Sequence, residues 1–266
     1  MGQSWDPESA GYRVTTFEHE GDARTVYRKG EGRCVLVMTE IPGITPKVLE
    51  FCERVIDAGF SVALPQFLGE AGKPFARHYA AGSLARACVS RDFTTFIKGR
   101  TSPLVYWMRA LARQLHEEHG GPGVGIVGMC LTGNFALAAM AEPCVIAPVA
   151  AQPTLPLGLS GAHRADLGVS KSDLQVIKQR ASQGVPLMAL RFSHDPLCPA
   201  SRFETIQREL GDAAILVTLD SSPNNPHGIP RTAHGVLAHD FVDESGHPTV
   251  DALQRVLDLF RRQLAA

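Results

Sequence analysis

One stretch of this sequence leaves the chain little freedom in how it folds: Val124-Gly-Ile-Val-Gly-Met-Cys-Leu-Thr-Gly-Asn-Phe-Ala-Leu-Ala-Ala-Met140. A short apolar run leads into Gly128-Met129-Cys130-Leu131-Thr132-Gly133, and an apolar helical segment follows. The order is strand, tight turn, helix, with small residues two before and two after a cysteine. A side chain presented on so sharp a turn sits in strained backbone, so its near neighbours must be small. The helix after the turn aims unpaired N–H groups and the positive end of its dipole at Cys130, which favours a thiolate and later an oxyanion. Serine is the usual residue at such an elbow; this chain carries cysteine. A cysteine is more often just a buried apolar group. The strand before it and the helix after it are what single out Cys130 as a nucleophile.

The rest of the chain repeats the same alternation. Apolar runs at 34–38, 60–64, 124–128, 144–149, 186–192 and 214–219 read as strands, those at 34–38 and 144–149 as buried ones. Helical spacing covers 47–58, 103–119, 131–142, 172–181, 201–210 and 250–264. Residues 11–29 read as two polar-alternating strands with a turn at Gly21-Asp22. The expected fold is α/β, with a mostly parallel central sheet and helices on both faces. A length of 266 residues suits one domain over 1–266. Residues 69–101 read as an irregular surface excursion, and 152–169 as a long loop.

A net charge of −1 gives no electrostatic case for nucleic acid or an anionic membrane. No apolar run approaches the roughly 20 residues of a bilayer span. The N-terminal Met1-Gly-Gln-Ser-Trp-Asp-Pro-Glu8 lacks the basic and apolar regions of a signal peptide. The six cysteines, at 34, 52, 88, 130, 144 and 198, have no paired CxxC spacing. That argues against a zinc site or a disulfide scaffold and fits a reducing compartment. The expectation is a cytoplasmic protein with no metal or organic cofactor, acting on a small molecule.

A thiol nucleophile needs a base, and the base needs an orienting carboxylate. Asp195, in Phe192-Ser-His-Asp-Pro-Leu-Cys198, follows strand 186–192 and so adjoins the cleft of an open α/β sheet. Asp-Pro also initiates turns, which is the plainer reading of the same residue. Among the histidines that follow, His234 lies in Thr232-Ala-His-Gly-Val-Leu237, where Gly235 allows an exposed loop imidazole. His239, next to Asp240, and the proline-flanked His227 remain alternatives, while His194 reads as a surface or supporting group.

With this elbow, acid and base in order, the chain resembles the dienelactone hydrolase family of α/β-hydrolases. Thr39-Glu40-Ile41-Pro42-Gly43 is similar to the family's Gln-Glu-Ile-Phe-Gly loop. The resemblance implies a Cys130–Asp195–His234 triad and a Glu40 that contacts the resting nucleophile. It also implies an oxyanion hole from the backbone N–H groups of Ile41 and Leu131. The implied activity is cleavage of a small ester or lactone through a cysteine acyl-enzyme. The sequence departs from the family pattern at Thr132, which stands where a glycine is usual, at Gln66, and over 70–101. Arg77, His78, Tyr79 and Arg86 are candidate binders of an anionic substrate there, with surface charge as the default.

Two other readings compete. Gly123-Val-Gly125-Ile-Val-Gly128 matches G-x-G-x-x-G, but it spans a strand instead of following one, and Pro148 stands near the ribose-binding position. The second is a non-catalytic or redox-sensing α/β-hydrolase-fold protein using Cys130. The Asp and His that follow in relay order speak against it, because a sensor has no use for an acyl-transfer relay.

Overall fold

The structure, a computed structural model, describes residues 5–89, 101–155 and 164–265. Their centre is one eight-stranded sheet in the order β1-β2-β4-β3-β5-β6-β7-β8. The strands are β1 (Arg13–His19), β2 (Asp22–Lys29), β3 (Cys34–Met38), β4 (Ser61–Pro65), β5 (Val124–Met129), β6 (Val145–Ala151), β7 (Leu187–Phe192) and β8 (Ala214–Leu219). β1 and β2 form an antiparallel hairpin, and β2 lies antiparallel to β4. From β4 to β8 every pairing is parallel. The helices are α1 (Pro46–Asp57), α2 (Arg77–Val89), α3 (Pro103–His119), α4 (Gly133–Ala139), α5 (Lys171–Ser182), α6 (Ala200–Leu210) and α7 (Pro248–Leu264).

The apolar runs sit where two-sided burial demands them. Side chains alternate across a strand, so β3 sends Val35 and Val37 into one core and Leu36 and Met38 into the other. On the first face they meet Phe51 and Val55 of α1 and Val256 and Phe260 of α7. On the second they meet Trp107, Met108 and Leu111 of α3 and Phe135 of α4. Helix starts are written locally: Thr45 and Ser102 each accept a backbone N–H from the first turn, and Pro46 and Pro103 occupy the first helical position. The geometry relevant to chemistry is that β3, β5, β6, β7 and β8 all run the same way. Residues just past their C-terminal ends therefore gather along one edge of the sheet.

Three expectations change. The hairpin turns on Glu20-Gly21, one residue earlier than expected, with φ of 51° and 80°. Both central residues of a two-residue hairpin take positive φ, and Gly21 supplies one of them without strain. The supposedly irregular excursion contains α2, whose Ala-rich sequence favours a helix but has no apolar stripe for periodicity to detect. Residues 90–100 and 156–163, parts of the two loop assignments, lie outside the described residues. After the elbow, Cys130–Thr132 form a 3-10 turn before α4, which ends at Ala139 instead of 142. No helix among the described residues is long and apolar enough to cross a membrane.

Candidate active site

Cys130 follows β5 directly, with a φ of 59° in the left-handed region that a residue bearing a side chain rarely adopts. Its surroundings show why small residues flank it. A Cβ on Gly128 would lie 2.0 Å from the Thr132 carbonyl oxygen, and one on Gly133 would lie 2.8 Å from Pro153 Cα. The second small position is thus 133, one later than the spacing suggested. Thr132 fits because its hydroxyl is used. It accepts the Met129 N–H at 2.8 Å, and its one proton faces the carbonyl oxygens of Met129, Met38 and Thr39 at 2.9, 3.1 and 3.2 Å. One buried hydroxyl therefore seats the elbow against the end of β3, where the Glu40-Ile41 loop begins.

Asp195 sits past β7 with its side chain fully buried. Its Oδ1 accepts the Leu197 N–H at 2.9 Å, and its Oδ2 lies 2.7 Å from His234 Nδ1. His234 comes from the long segment between β8 and α7. That segment is pinned by Asp240, whose Oδ2 accepts the N–H groups of His234 and Gly235 at 2.7 and 2.8 Å. With Nδ1 on the carboxylate, Nε2 is the nitrogen left for chemistry, and it is buried with the Cys130 thiol as a neighbour of the ring. Burial is the largest single influence on the imidazole and disfavours its charged form. The neighbouring Cys130 and Asp195 together outweigh it, so the His234 pKa is raised well above the ordinary value.

Of the other histidines, His239 lines the same cavity as Cys130, whereas His227 and His194 are not among its lining residues. His239 is exposed and lies against Phe75, with ring centroids 4.5 Å apart. His227 is exposed beside His247, and His194 is exposed with Nδ1 2.9 Å from Ser193 Oγ. Asp240 binds the backbone of residues 234 and 235 instead of pairing with the His239 ring. Gly235 serves close packing, not loop freedom: a Cβ there would lie 2.8 Å from that of His239 and 3.0 Å from Glu40 Oε2. The imidazole it was expected to expose is largely covered, with 18% of its side chain accessible.

Glu40 is buried at the same edge of the sheet. Its Oε2 accepts from Gln152 Nε2 at 3.0 Å and its Oε1 accepts the His239 N–H at 3.2 Å. No hydrogen bond joins it to Cys130, although both line one cavity. Burial is the main influence on the Glu40 carboxyl and raises its pKa; the nearby histidines pull the other way. Ile41 and Leu131 line that cavity too. Gly43 lets the chain approach itself, since a Cβ there would lie 2.3 Å from the Leu68 carbonyl oxygen. Arg77, His78 and Arg86 are exposed, and Tyr79 accepts the Glu70 N–H at 2.6 Å. None of the four is among the lining residues.

Sequence reasoning missed Gln152. It is fully buried with a φ of 37°, and it bridges Glu40 to the Val236 N–H, which its Oε1 accepts at 3.4 Å. A polar residue immediately past an all-apolar strand was the available signal, the same logic that singled out Asp195. Among the described residues no group of three or more His, Cys, Asp or Glu is placed to hold a metal ion.

A doubly covered, mostly parallel sheet with an elbow after its central strand, a carboxylate after β7 and a histidine after β8 defines an α/β-hydrolase. Residues 22–264 match the model of the dienelactone hydrolase family, and the chain belongs to that family. Membership makes it a hydrolase of carboxylic esters. Solved structures agree on the fold. A Klebsiella pneumoniae protein assigned to the dienelactone hydrolases is 18% identical, with a TM-score of 0.64, over 94% of this chain and 98% of that one. The dienelactone hydrolase from Anabaena variabilis is 16% identical with a TM-score of 0.60, over 95% and 98%. An esterase from Pyrococcus furiosus is 12% identical with a TM-score of 0.59, over 100% and 98%. No curated protein sequence matches this chain.

Proposed function

We propose that the protein hydrolyses a small carboxylic ester or lactone through a thioester on Cys130. The observation that carries the reading is the buried Asp195–His234 pair at 2.7 Å, beside a cysteine held at a φ of 59° on the strand-to-helix turn. His234 Nε2 takes the Cys130 proton, and Asp195 holds the ring and stabilises the imidazolium. The thiolate adds to the substrate carbonyl carbon, and the oxyanion that forms accepts the N–H groups of Ile41 and Leu131. Collapse expels the alcohol oxygen, which takes the proton from His234, leaving the thioester. Water, deprotonated by the same imidazole, then releases the acid and restores the thiol. Glu40 stands by as a buried carboxyl beside this chemistry.

One continuous sheet through the described residues supports a single domain over 1–266. Five described cysteines are free, which supports a reducing, cytoplasmic setting. A net charge of −1 supports a small-molecule substrate over nucleic acid. The test is turnover of p-nitrophenyl esters and small lactones by Cys130→Ala. The variant is expected to lose about a thousandfold or more in kcat while remaining folded. A variant that keeps more than about a tenth of wild-type activity contradicts the reading, and a redox-sensing role for Cys130 then becomes the better account.

A further inference from the structure

The cavity that holds Cys130 and His234 has a volume of about 490 Å³, within the range of sites for small organic ligands. Its walls beyond the catalytic groups are largely apolar, formed by Ile41, Phe75, Leu84, Leu131, Leu155 and Leu197. Three of these are among the large apolar side chains most open to water: Phe75 at 42%, Leu84 at 43% and Leu197 at 53%. Exposed apolar groups gathered at the mouth of a cleft mark a place where an apolar surface lands. Among the described residues, the ionisable groups on the same wall, apart from Cys130 and the two histidines, are the carboxyls of Glu40 and Asp240. The cationic side chains of the neighbouring helix, Arg77 and Arg86, are exposed and do not line the cavity.

We propose that this site selects uncharged esters or lactones carrying an aliphatic or aromatic acyl group, and disfavours substrates that bear a second carboxylate. The proposal rests on Cys130 being the acylated residue. An apolar acyl chain gains by leaving water for the Phe75, Leu84 and Leu197 wall. A carboxylate at the same place loses its hydration against apolar side chains and enters a cavity lined by the acidic side chains of Glu40 and Asp240, whose negative charge repels it. The carboxylates beside the nucleophile thus set a preference that the triad alone does not.

The test compares p-nitrophenyl butyrate with p-nitrophenyl hemisuccinate. The two have the same leaving group and four-carbon acyl chains, and only the hemisuccinate ends in a carboxylate. The expected kcat/KM ratio favours the neutral ester by about tenfold or more, within what an apolar pocket achieves. Leu197→Arg places a cation at the mouth while keeping the backbone N–H that Asp195 accepts, and the ratio is expected to narrow through a lower KM for the hemisuccinate. Equal kcat/KM values, or a preference for the hemisuccinate in the wild type, overturn the proposal. Intact-mass measurement during turnover separates this from failure of the cysteine chemistry. Acyl adducts on Cys130 formed equally fast by both esters remove the selectivity alone. Hydrolysis with no adduct on Cys130 removes the cysteine reading, and the ratio of the two hydrolysis rates still decides the selectivity.

Discussion

Replacing Thr132 by valine removes one hydroxyl while nearly preserving shape, and the structure says what that should cost. The side chain is 1% exposed, so no water stands ready to substitute. The Met129 N–H, bonded to the hydroxyl at 2.8 Å, is left without its partner. An orphaned buried donor costs about 1–3 kcal/mol. The new methyl also faces the Met38 and Thr39 carbonyl oxygens, which lie 3.1 and 3.2 Å from the present oxygen, closer than a methyl sits comfortably. A total near 2 kcal/mol corresponds to a fall in Tm of roughly 4–8 °C for a domain of this size. Thr132→Ser keeps the hydroxyl and loses one buried methyl, worth about 0.8 kcal/mol, so its fall should be clearly smaller. Because the hydroxyl joins the nucleophile turn to the Glu40-Ile41 loop, kcat should also fall in the valine variant, by roughly tenfold or more, with little change in KM. Serine should restore it. Differential scanning calorimetry and ester kinetics on the two variants decide the matter. A valine variant with wild-type Tm and kcat, or a serine variant as damaged as valine, refutes the reasoning.

Three further outcomes are expected. Asp195→Asn should lower kcat by about 10³-fold or more, and it should also change the pH dependence of stability. The His234 pKa is raised on folding, so the stability this brings is complete below the unfolded value of 6.5 and is lost as pH rises through the folded one. Chemical denaturation across pH should therefore show the gap between wild type and Asp195→Asn closing toward alkaline pH, and a gap that widens there contradicts the assignment. His234→Ala should inactivate while His239→Ala and His227→Ala remain near wild type in the same ester assay; an inactive His239 variant beside an active His234 variant would move the base. Burial raises the Glu40 pKa, so Glu40→Gln should alkylate with iodoacetamide at the wild-type rate at low pH and faster once the wild-type carboxyl ionises. Superimposable rate–pH curves would remove Glu40 from control of the thiol.

Much of this site was legible because parallel sheets write it into the chain in order. Apolar runs buried on both faces mark the strands, and whatever polar residue follows such a run lies at the ligand-binding edge. Cys130 after β5 and Asp195 after β7 were found that way, and Gln152 after β6 could have been. His234 was favoured on position alone, because a loop histidine announces itself by no periodicity; the 2.7 Å contact to Asp195 is what separates it from His239 and His227. The role of Thr132 was hidden because it depends on carbonyls more than 90 residues away in sequence. Helix α2 was missed for a physical reason as well: its residues favour a helix locally but carry no apolar stripe in sequence. Gly235 was recognised as important but for the wrong reason, since close approach between distant segments is invisible in a single chain read end to end.

Rapid mixing with a p-nitrophenyl ester, acid quench and intact-mass analysis tests the central claim most directly, with the adduct located by peptide mapping. The account predicts a transient mass increase equal to one acyl group, held on Cys130, absent from Cys130→Ala and longer-lived in a variant whose His234 cannot activate water. Acylation of a different residue, or full turnover by Cys130→Ala, would contradict it.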